Sequence, residues 1–409
     1  MRRPGYWRRE VARTEPVGDW TSDFDVLDAS YVQNPFPHWD ELRQVCPIAH
    51  TDRRGRAWLP TTYADVTAMA KDIDHFSSAN TSVIDSVDES ETPILTYGLP
   101  PITSDPPLHT WTRRLLLPWF SHARVESYEP MTRSLCGSLF DAHLDAGRAD
   151  AAADYAQQIP VRVIGSILGI PEELADTFTG WVRDALEFAD DTERVQRGMF
   201  GIGYYLWDRI NERRDADGDD LLTYLLHAEV DGGSVDDMVV LGMAILTMIA
   251  GIDTTWSAIG SSLWHLATND RDRERLVAEP ALMATAVEEL LRAYSPVTMA
   301  RVVTEDLEFN GCPMKQGDKL LLSFPAANRD PAVFDRADEV LVDRQENRHV
   351  AFGSGIHRCA GSNLARMELR VALEEWLARV PVFHLAEGAE VLWAGGQVRG
   401  PRRLEVVFS

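Results

Sequence analysis

The longest uncharged apolar stretch of the chain is "MVVLGMAILTMIAGI", from Met238 to Ile252, and Asp253 ends it. It is shorter than the ~20 residues that a helix needs to cross a bilayer. The preceding residues "SVDD", 234–237, offer an N-cap and first-turn carboxylates, and helical spacing persists to about Ala267. At 1.5 Å per residue, this helix is roughly 50 Å long. A helix so long and apolar must run through the middle of the protein.

The rest of the chain fits one continuous, mainly helical domain. Of its 409 residues 45% are hydrophobic, which is enough to bury a large core. Helical periodicity dominates from about residue 106 to 300, and no repeat, low-complexity tract or Gly/Ser linker divides the sequence. We predict a flexible tail at residues 1–20, where several arginines are followed by no apolar stretch, and a folded domain at residues 21–409.

Charge and cysteine content exclude several classes of function. The formal net charge of −24 would repel a phosphate backbone, so nucleic acid is not an expected partner. The four cysteines lie far apart, without a CxxC pair that would suggest a structural zinc site or a secreted disulfide framework. Because no apolar run is long enough to serve as an anchor, we expect a cytoplasmic protein without a membrane anchor.

A small β region interrupts the helical blocks. The segments "LEF" and "CPM", joined by Asn310-Gly311, predict a β-hairpin over residues 307–314, and "KLLLSF" at 319–324 predicts a neighbouring strand. The segment 85–107 is acidic and then rich in proline, which predicts a loop; long loops in compact domains are often functional. The expected fold class is therefore mainly α with small β-sheets.

One cysteine, Cys359, stands in the loop "AFGSGIHRCAG" before a segment with helical spacing. Gly353 and Gly355 can take φ angles closed to other residues, so the loop backbone can approach a large, flat neighbour closely. Free amides and the dipole at a helix N-terminus favour a thiolate, which is a soft metal ligand. A lone cysteine before a helix is more commonly just a buried residue, so the surrounding pattern must decide.

That pattern is FxxGxxxCxG, formed by Phe352, Gly355, Cys359 and Gly361, and it resembles the haem-binding loop of the cytochrome P450 family. His357 fits the commoner bacterial form of the loop. The resemblance implies a cytochrome P450 fold, with a single domain around a buried haem b. It also implies that the Cys359 thiolate is the proximal ligand of the haem iron and that O2 is a co-substrate.

A second match is "EELLR", in which Glu289 and Arg292 resemble the ExxR pair that braces the haem loop in this family. Arg344, in the segment that leads into the haem loop, is the candidate for the third member of this ion-pair network, ahead of Arg348. On physical grounds alone, an i,i+3 ion pair is usually a surface contact that contributes about a few tenths of a kcal/mol. The assignment therefore depends on the resemblance.

Four residues match family positions that pair with the haem propionates. In "DPPLHTWTRR", His109 and Arg113 lie four residues apart and so share one helical face. Arg301 and His357 match the other two positions, and a planar guanidinium makes strong bidentate bonds to a carboxylate. Each of these residues, taken alone, could be an ordinary surface residue. The matches together run from about residue 31 to 405, which is nearly the whole chain.

The long helix contains "AGIDTT", residues 250–255, which is similar to the oxygen-binding motif of the family. Glycine, aspartate and two threonines in succession lower helix propensity by about 3 kcal/mol relative to alanines, so a purely structural helix would not favour them. Ala250 and Gly251 can leave room for dioxygen, and the Thr254 hydroxyl can bond a carbonyl one turn back. The resemblance makes Thr254 and Asp253 the catalytic pair that delivers protons. Asp253 is expected to pair with a basic side chain and to turn toward solvent.

The resemblance implies a monooxygenase that inserts one oxygen atom from O2 into a hydrophobic small organic molecule by hydroxylation, epoxidation or dealkylation. The chain has no flavin fingerprint and no cysteine set for an iron–sulfur cluster, so electrons must come from a ferredoxin and its reductase or from a flavodoxin. Arg358, Arg366 and Arg370 could face an acidic carrier. Two alternatives remain open: oxidative coupling or rearrangement without net oxygen insertion, and a non-enzymatic haem sensor, which would not need Asp253-Thr254.

By family analogy, the substrate pocket draws on a set of mostly apolar or small residues: Phe188, Met243, Thr247, Val297, Thr298 and Gln397. This set favours a hydrophobic substrate over a highly charged one. Tailoring of a bacterial secondary metabolite and catabolism both remain open as roles.

Overall fold

The computed structural model describes residues 15–53, 55–84, 98–141, 146–188 and 191–408. Most of the predicted tail at residues 1–20 and the first part of the predicted loop at 85–107 therefore lie outside the described residues. The described part of that loop, residues 98–107, forms turns rather than helix or strand. The boundary between tail and domain stays a prediction.

Helices make up most of the described secondary structure, as the sequence predicted. In chain order they are α1 (Ala29–Gln33), α2 (Phe36–Val45), α3 (Tyr63–Lys71), α4 (Leu108–Leu116), α5 (His122–Asp141), α6 (Gln158–Ile167), α7 (Ala175–Leu186), α8 (Thr192–Arg213), α9 (Leu221–Leu226), α10 (Asp237–Thr268), α11 (Asp270–Ala278), α12 (Met283–Ala293), α13 (Phe324–Ala327) and α14 (Ser362–Arg379). Short helical turns of other types lie at Leu117–Phe120, Ala151–Ala156, Glu172–Leu174, Pro280–Leu282 and Gly355–His357.

The strands are short and form small separate sheets. In chain order they are β1 (Ile48–Thr51), β2 (Ala57–Pro60), β3 (Phe76–Ser77), β4 (Arg148–Asp150), β5 (Glu229–Val230), β6 (Gly233–Ser234), β7 (Thr298–Val303), β8 (Leu307–Phe309), β9 (Cys312–Met314), β10 (Lys319–Ser323), β11 (Phe383–Leu385), β12 (Leu392–Ala394), β13 (Gly400–Arg403) and β14 (Glu405–Phe408). The largest sheet has the order β1-β2-β10-β7-β3, and β11-β14-β4 form a second one. The expected fold class, mainly α with small β-sheets, is confirmed.

Helix α10 is the long central helix that the apolar run predicts. The N-cap and first-turn carboxylate expected within residues 234–237 are Asp236, whose side chain accepts from the backbone N–H of Met238, and Asp237, while Ser234 belongs to strand β6. Along its 32 residues α10 packs against α6, α8, α14 and β13. It is long and apolar enough to cross a bilayer by length and composition, but 67% of its most apolar window is buried inside the protein. Protein rather than lipid therefore surrounds it.

The predicted hairpin is confirmed in strands β8 and β9. Asn310 and Gly311 form its turn with φ angles of 48° and 82°, in the left-handed region that Asn and Gly tolerate best. The neighbouring strand β10 belongs to the larger sheet, where it pairs with β7 and β2. This sheet matters for the site because β7 carries Arg301.

Candidate active site

A cavity of about 420 Å³ lies between helix α10 and the loop at residues 351–361, called the cysteine loop below because it carries Cys359. Ala250, Gly251 and Thr254 line it on the side of α10. Phe352 and Cys359 line it on the side of the loop. Two segments that are distant in the chain thus face each other across one space.

The cysteine loop holds Cys359 at the cavity wall, where its side chain is accessible from the cavity. Its backbone N–H donates to the carbonyl of Phe352 at 2.8 Å. Gly353 and Gly355 both have a φ of 75°, and a Cβ on Gly355 would come within 2.6 Å of the Ala70 carbonyl oxygen. The loop can therefore take this shape only with glycine at position 355.

The Cys359 sulfur lies before helix α14, whose N-cap is Gly361. Burial raises the pKa of the Cys359 thiol, while the Gly361 backbone N–H and the positive charge of Arg113 act in the opposite direction. A bound metal cation deprotonates a coordinating thiol outright. The position therefore suits a thiolate ligand to a metal.

Arg301 is a buried cation on the same cavity. Only 5% of it is exposed, and its side-chain hydrogen bond among the described residues goes to the neighbouring carbonyl of Ala300 at 2.7 Å. Burial lowers the pKa of Arg301 to about 10, with Asp105 acting in the opposite direction. A desolvated guanidinium without a bonded carboxylate is costly. The site around Arg301 is therefore suited to an anion.

Two histidines lie close to this cation, with the ring centroids of His109 and His357 4.3 Å apart. Nε2 of His357 lies 2.9 Å from the Ser78 hydroxyl, and Nε2 of His109 is buried without a hydrogen-bond partner among the described residues. Burial, with the charges of Arg301 and Arg113 beside it, lowers the pKa of His357 to about 3, and burial lowers that of His109 as well. Both rings are therefore mainly neutral at neutral pH and can donate or accept hydrogen bonds.

Glu289, Arg292 and Arg344 form one buried ion-pair network. Arg292 donates to both carboxylate oxygens of Glu289 at 2.8 Å, and both side chains are fully buried. Nε of Arg344 donates to Oε2 of Glu289 at 2.9 Å. Arg292 also donates to the carbonyls of Asn328 and Ala337, which lie on the chain leading toward the cysteine loop. The network therefore ties α12 to that segment from inside the protein and is not a surface contact.

On α10, the Thr254 hydroxyl donates to the carbonyl of Ala250 at 2.8 Å, one turn back. Ala250 itself faces the cavity. Gly251 has a different reason for lacking a side chain, because a Cβ there would come within 2.5 Å of Cδ1 of Ile164 on α6. The expectation that Gly251 leaves room for dioxygen is thus corrected in part, since Ile164 fills the space where its side chain would point.

Asp253 pairs with a basic side chain, Arg402, whose Nη2 lies 2.6 Å from its Oδ1. The expected turn toward solvent is wrong, because both residues are buried. Arg402 also contacts Glu187 and donates to the Ser257 hydroxyl at 3.0 Å, while Oδ2 of Asp253 has no hydrogen-bond partner among the described residues. Burial raises the pKa of Asp253 to about 6; Arg402 opposes this shift and Glu187 adds to it.

Comparison with known proteins decides the family. The family described as Cytochrome P450 matches residues 202–383. The mycinamicin IV hydroxylase/epoxidase of Micromonospora griseorubida is 36% identical over 380 residues, which cover 90% of this chain and 94% of that protein. The vitamin D(3) 25-hydroxylase of Pseudonocardia autotrophica is 33% identical over 405 residues, which cover 95% of this chain and 97% of that protein. The chain belongs to the cytochrome P450 family.

The solved structures agree with this assignment. The cytochrome P450 PksS of the Bacillus subtilis bacillaene polyketide synthase superposes with a TM-score of 0.86 and is 30% identical, covering 94% of this chain and 100% of that one. The predicted P450 fold is confirmed. This P450 is a monooxygenase that acts on small organic molecules, so the alternative of a non-enzymatic haem sensor is set aside.

Haem is the cofactor that the P450 family implies, and the cavity fits it. Cys359 presents its sulfur on one wall, where an iron ligand is needed. Arg301 has no bonded carboxylate among the described residues, and Nε2 of His109 is left without a partner. Two propionates would supply the acceptors that both groups lack. Arg113 adds a second arginine to the lining, so these donors match the two negatively charged propionates of haem.

The residues predicted for the substrate pocket of this P450 divide into two groups. Thr247, Val297 and Gln397 line the cavity. Phe188, Met243 and Thr298 are absent from its described lining, so their place in the substrate pocket stays a prediction.

Each of the three has a physical reason to point elsewhere. Side chains alternate along a strand, and since Met299 and Arg301 of β7 line the cavity, Thr298 faces the other way. Met243 is fully buried in the core, and Phe188 lies under the guanidinium of Arg194, 4.0 Å from its ring centroid.

Sequence reasoning missed Arg402 and Glu187, for which the sequence offers no local signal. Two of the arginines expected to face an acidic electron carrier, Arg366 and Arg370, already have acidic partners within the protein. Arg366 forms a two-bond pair with Glu288 at 2.6 and 2.8 Å, and Arg370 pairs with Glu129 at 2.6 Å. These ion pairs already neutralise the charges that were expected to face an acidic carrier.

Proposed function

We propose that this P450 binds haem b through Cys359 and hydroxylates, epoxidises or dealkylates an uncharged, hydrophobic molecule. One observation carries the proposal: apart from Cys359, the proposed iron ligand, the only described residues of the cavity lining that carry charge at neutral pH are Arg113 and Arg301, on the side assigned to the propionates. Apolar side chains such as Leu246 and Val297 cover much of the remaining wall. A charged substrate would lose its hydration there without gaining a counter-ion.

Cys359 holds the iron as a thiolate in this proposal, and His109, Arg113, Arg301 and His357 hold the propionates. Haem iron with a thiolate ligand supplies the activation of dioxygen that oxygen insertion requires. The chain contributes orientation, because the apolar wall would hold the substrate in the cavity beside the bound cofactor. It also excludes bulk water, which would otherwise weaken every polar contact in the cavity.

Thr254 directs hydrogen bonding on the α10 wall of the cavity, across from the cysteine loop. Its proton is donated to the carbonyl of Ala250, so its oxygen lone pairs remain free to accept. An accepting hydroxyl on the cavity wall takes one proton of a water molecule in a hydrogen bond and so orients the second proton of that water into the cavity. Positioned proton transfer of this kind is general acid catalysis.

Asp253 supplies protons from behind the cavity wall. Its Oδ1 accepts from Arg402, so the unpartnered Oδ2 is the oxygen that carries the proton whenever the carboxyl is protonated. A pKa of about 6 lets the group both hold and release a proton near neutral pH. Asp253 does not belong to the described lining, so Thr254 or a water molecule must carry the proton over the last step.

P450 enzymes take electrons from redox partners, and we propose a separate ferredoxin with its reductase, or a flavodoxin, for this one. The exposed Arg358, next to Cys359 in the chain, offers positive charge to an acidic carrier.

The setting we propose is the bacterial cytoplasm, in the tailoring of a secondary metabolite. Support comes from the named roles of relatives: one is the mycinamicin IV hydroxylase/epoxidase, and another is the polyketide biosynthesis cytochrome P450 PksS of Bacillus subtilis. Both names describe the modification or synthesis of natural products. Neither name gives a substrate for this chain, so the identity of the compound must come from experiment.

The test is a binding screen of neutral and charged organic compounds that follows the haem spin-state band. Neutral apolar compounds should shift the band, whereas carboxylates and amines of equal size should not. Turnover of a hit under ¹⁸O₂ should place one labelled oxygen in a product, which for a dealkylation is the aldehyde or ketone that is released. A coupled or rearranged product without the label would favour the alternative reaction class, and preferential binding of charged compounds would overturn the substrate assignment.

A further inference from the structure

A second cleft, of about 250 Å³, lies on the other side of the helices that enclose the active cavity. Its walls come from α5, α6, α7 and α10, and it shares no described lining residue with the active cavity. Three side chains, Val161, Phe178 and Met248, form an apolar floor and are at most 2% exposed. The cleft is therefore a separate, largely apolar space.

The charges at the mouth of this cleft neutralise one another. Nε of Arg162 lies 3.1 Å from Oε1 of Glu172, and its Nη1 donates to the Gln158 side chain at 2.5 Å. A ligand there meets no uncompensated charge, so an ionic group would gain little to offset its desolvation. The chemistry favours an uncharged molecule.

Gly165 on α6 widens the floor of the cleft, although no neighbouring atom requires a glycine at this position. A Cβ there would meet nothing closer than Ile170, at 3.8 and 3.9 Å, which is ordinary contact. Its φ is not in the left-handed region, and glycine is costly inside a helix. Gly251 differs, because a Cβ there would be only 2.5 Å from Ile164. The missing side chain of Gly165 therefore leaves open space in the cleft and relieves no clash.

We propose that this cleft binds a compact, uncharged apolar molecule, such as a substituted benzene or a hydrocarbon of similar size. An engineered apolar cavity of about 150 Å³ is large enough to bind benzene, so the space here is sufficient. The proposal goes beyond oxygen insertion and needs no knowledge of the substrate.

The cleft and the active cavity lie on opposite sides of α6 and α10. Met248 lies on the cleft, while its neighbours Thr247 and Ile249 line the active cavity. Gly165 lies on the cleft, while its neighbour Ile164 lines the active cavity beside Gly251.

The first test uses crystals of the haem-loaded enzyme soaked with iodobenzene, whose iodine is located by anomalous scattering. Iodine should appear between Val161, Phe178 and Met248 in the wild type and should be absent in Gly165→Leu. Iodine only in the active cavity would overturn the proposal and leave the proposed function intact. The compound identified by the spin-state screen is soaked in parallel, which tells whether the cleft takes a second substrate molecule or a different hydrocarbon.

The second test is a ¹⁹F NMR titration with fluorobenzene in solution, with the active cavity filled by an iron-binding azole. Gly165→Leu should weaken the remaining binding about tenfold or more, equivalent to about 1.4 kcal/mol. Gly180→Leu is the matched control, since Gly180 is an exposed glycine in α7 with nothing within 4 Å of an added Cβ. Equal affinity in wild type and Gly165→Leu, or binding at crystal concentration only, would overturn the proposal.

Gly165→Ala tests whether a loss of binding in Gly165→Leu could result from misfolding rather than from filling the cleft. It adds a Cβ at ordinary contact distance and replaces a helix-interior glycine, so its melting temperature should equal or exceed that of the wild type. Its fluorobenzene affinity should lie between those of wild type and Gly165→Leu. If Gly165→Ala melted at a lower temperature, the glycine would serve packing and the proposal would fail.

Discussion

Nη2 of Arg402 lies 2.6 Å from Oδ1 of Asp253, although 149 positions separate the two residues in the chain. Arg402 comes from strand β13 and Asp253 from the middle of α10, and both are buried. Glu187, at the end of α7, contacts the same guanidinium. One cation thus lies between two buried acids, and it partly offsets the burial that raises the pKa of Asp253.

Replacing Arg402 should shift the pH dependence of turnover. In Arg402→Leu the guanidinium no longer opposes burial, so the pKa of Asp253 rises further above about 6 and the carboxyl stays protonated to higher pH. The limb of the kcat profile that belongs to Asp253 should move to higher pH, and Arg402→Lys should move it less. Arg403→Leu is the control, because Arg403 is exposed on the same strand. If this limb of the kcat profile does not move in Arg402→Leu, Asp253 does not take part in proton delivery.

The thiolate assignment predicts a spectroscopic change in Cys359→Ser. The reduced wild-type protein with carbon monoxide should show the red-shifted Soret band of thiolate ligation, because the sulfur donates electron density to the iron. Cys359→Ser should lose this band. Cys136→Ser is the control, since Cys136 is buried elsewhere in the core and should not affect the band. Retention of the band in Cys359→Ser would contradict the assignment.

Arg301→Met should loosen haem while leaving the fold intact. Removing a charge-assisted hydrogen bond to a propionate costs about 1.5–3 kcal/mol, which corresponds to haem loss about ten- to a hundredfold faster. Haem transfer to excess apomyoglobin measures this rate. Arg114→Met is the control, because Arg114 is exposed and lies outside the described cavity lining. Normal haem retention in Arg301→Met, His109→Ala, Arg113→Met and His357→Ala would refute the propionate site.

Thr254→Ala should uncouple the reaction without blocking it. The variant should keep haem and substrate, continue to consume reductant and O2, and release much of the flux as hydrogen peroxide, because no hydroxyl directs the proton. Asp253→Asn should chiefly slow turnover. Thr255→Ala is the control, since it also removes a threonine hydroxyl from the cavity wall. Product, peroxide and reductant are measured together, and unchanged coupling in Thr254→Ala would leave that residue a structural role only.

Glu368, on α14, should make the folded protein sensitive to rising pH. It is fully buried, neither carboxylate oxygen has a partner among the described residues, and burial raises the pKa of Glu368 well above its usual value. In the unfolded chain a glutamate carboxyl has a pKa of about 4.3. The free energy of unfolding should therefore fall as the pH rises above that value toward the higher pKa of Glu368 in the folded state.

Two substitutions separate the effects at Glu368. Glu368→Met should stabilise the protein at pH 7 by about 1–3 kcal/mol, because it removes an unsatisfied buried polar group. Glu368→Gln should remove the pH dependence while keeping a polar side chain. Denaturant unfolding at pH 5 and pH 7.5 measures both. Parallel pH dependence in wild type and Glu368→Gln would show that this carboxyl is already ionised in the folded state.

The sequence by itself determined the features that depend on neighbours within one or two turns of chain. The apolar run predicts α10 because a helix repeats every 3.6 residues, and Asn310-Gly311 predicts the hairpin because a two-residue turn needs positive φ angles. The loop around Cys359 could be identified because its pattern resembles that of a known family, whereas the contact with Ala70 that requires glycine at position 355 became visible only in the structure.

Only the tertiary structure decided which side chains meet. Thr298 was placed in the pocket by analogy, but the alternation of β7 turns Met299 and Arg301 to the cavity instead. Arg402 could not be assigned to Asp253 from the sequence, because an ion pair between distant segments depends on where β13 crosses α10. The reason Gly251 lacks a side chain likewise became visible only once α6 packed Ile164 against it. Local spacing determines which elements form, and the packing of distant elements determines what each functional group touches.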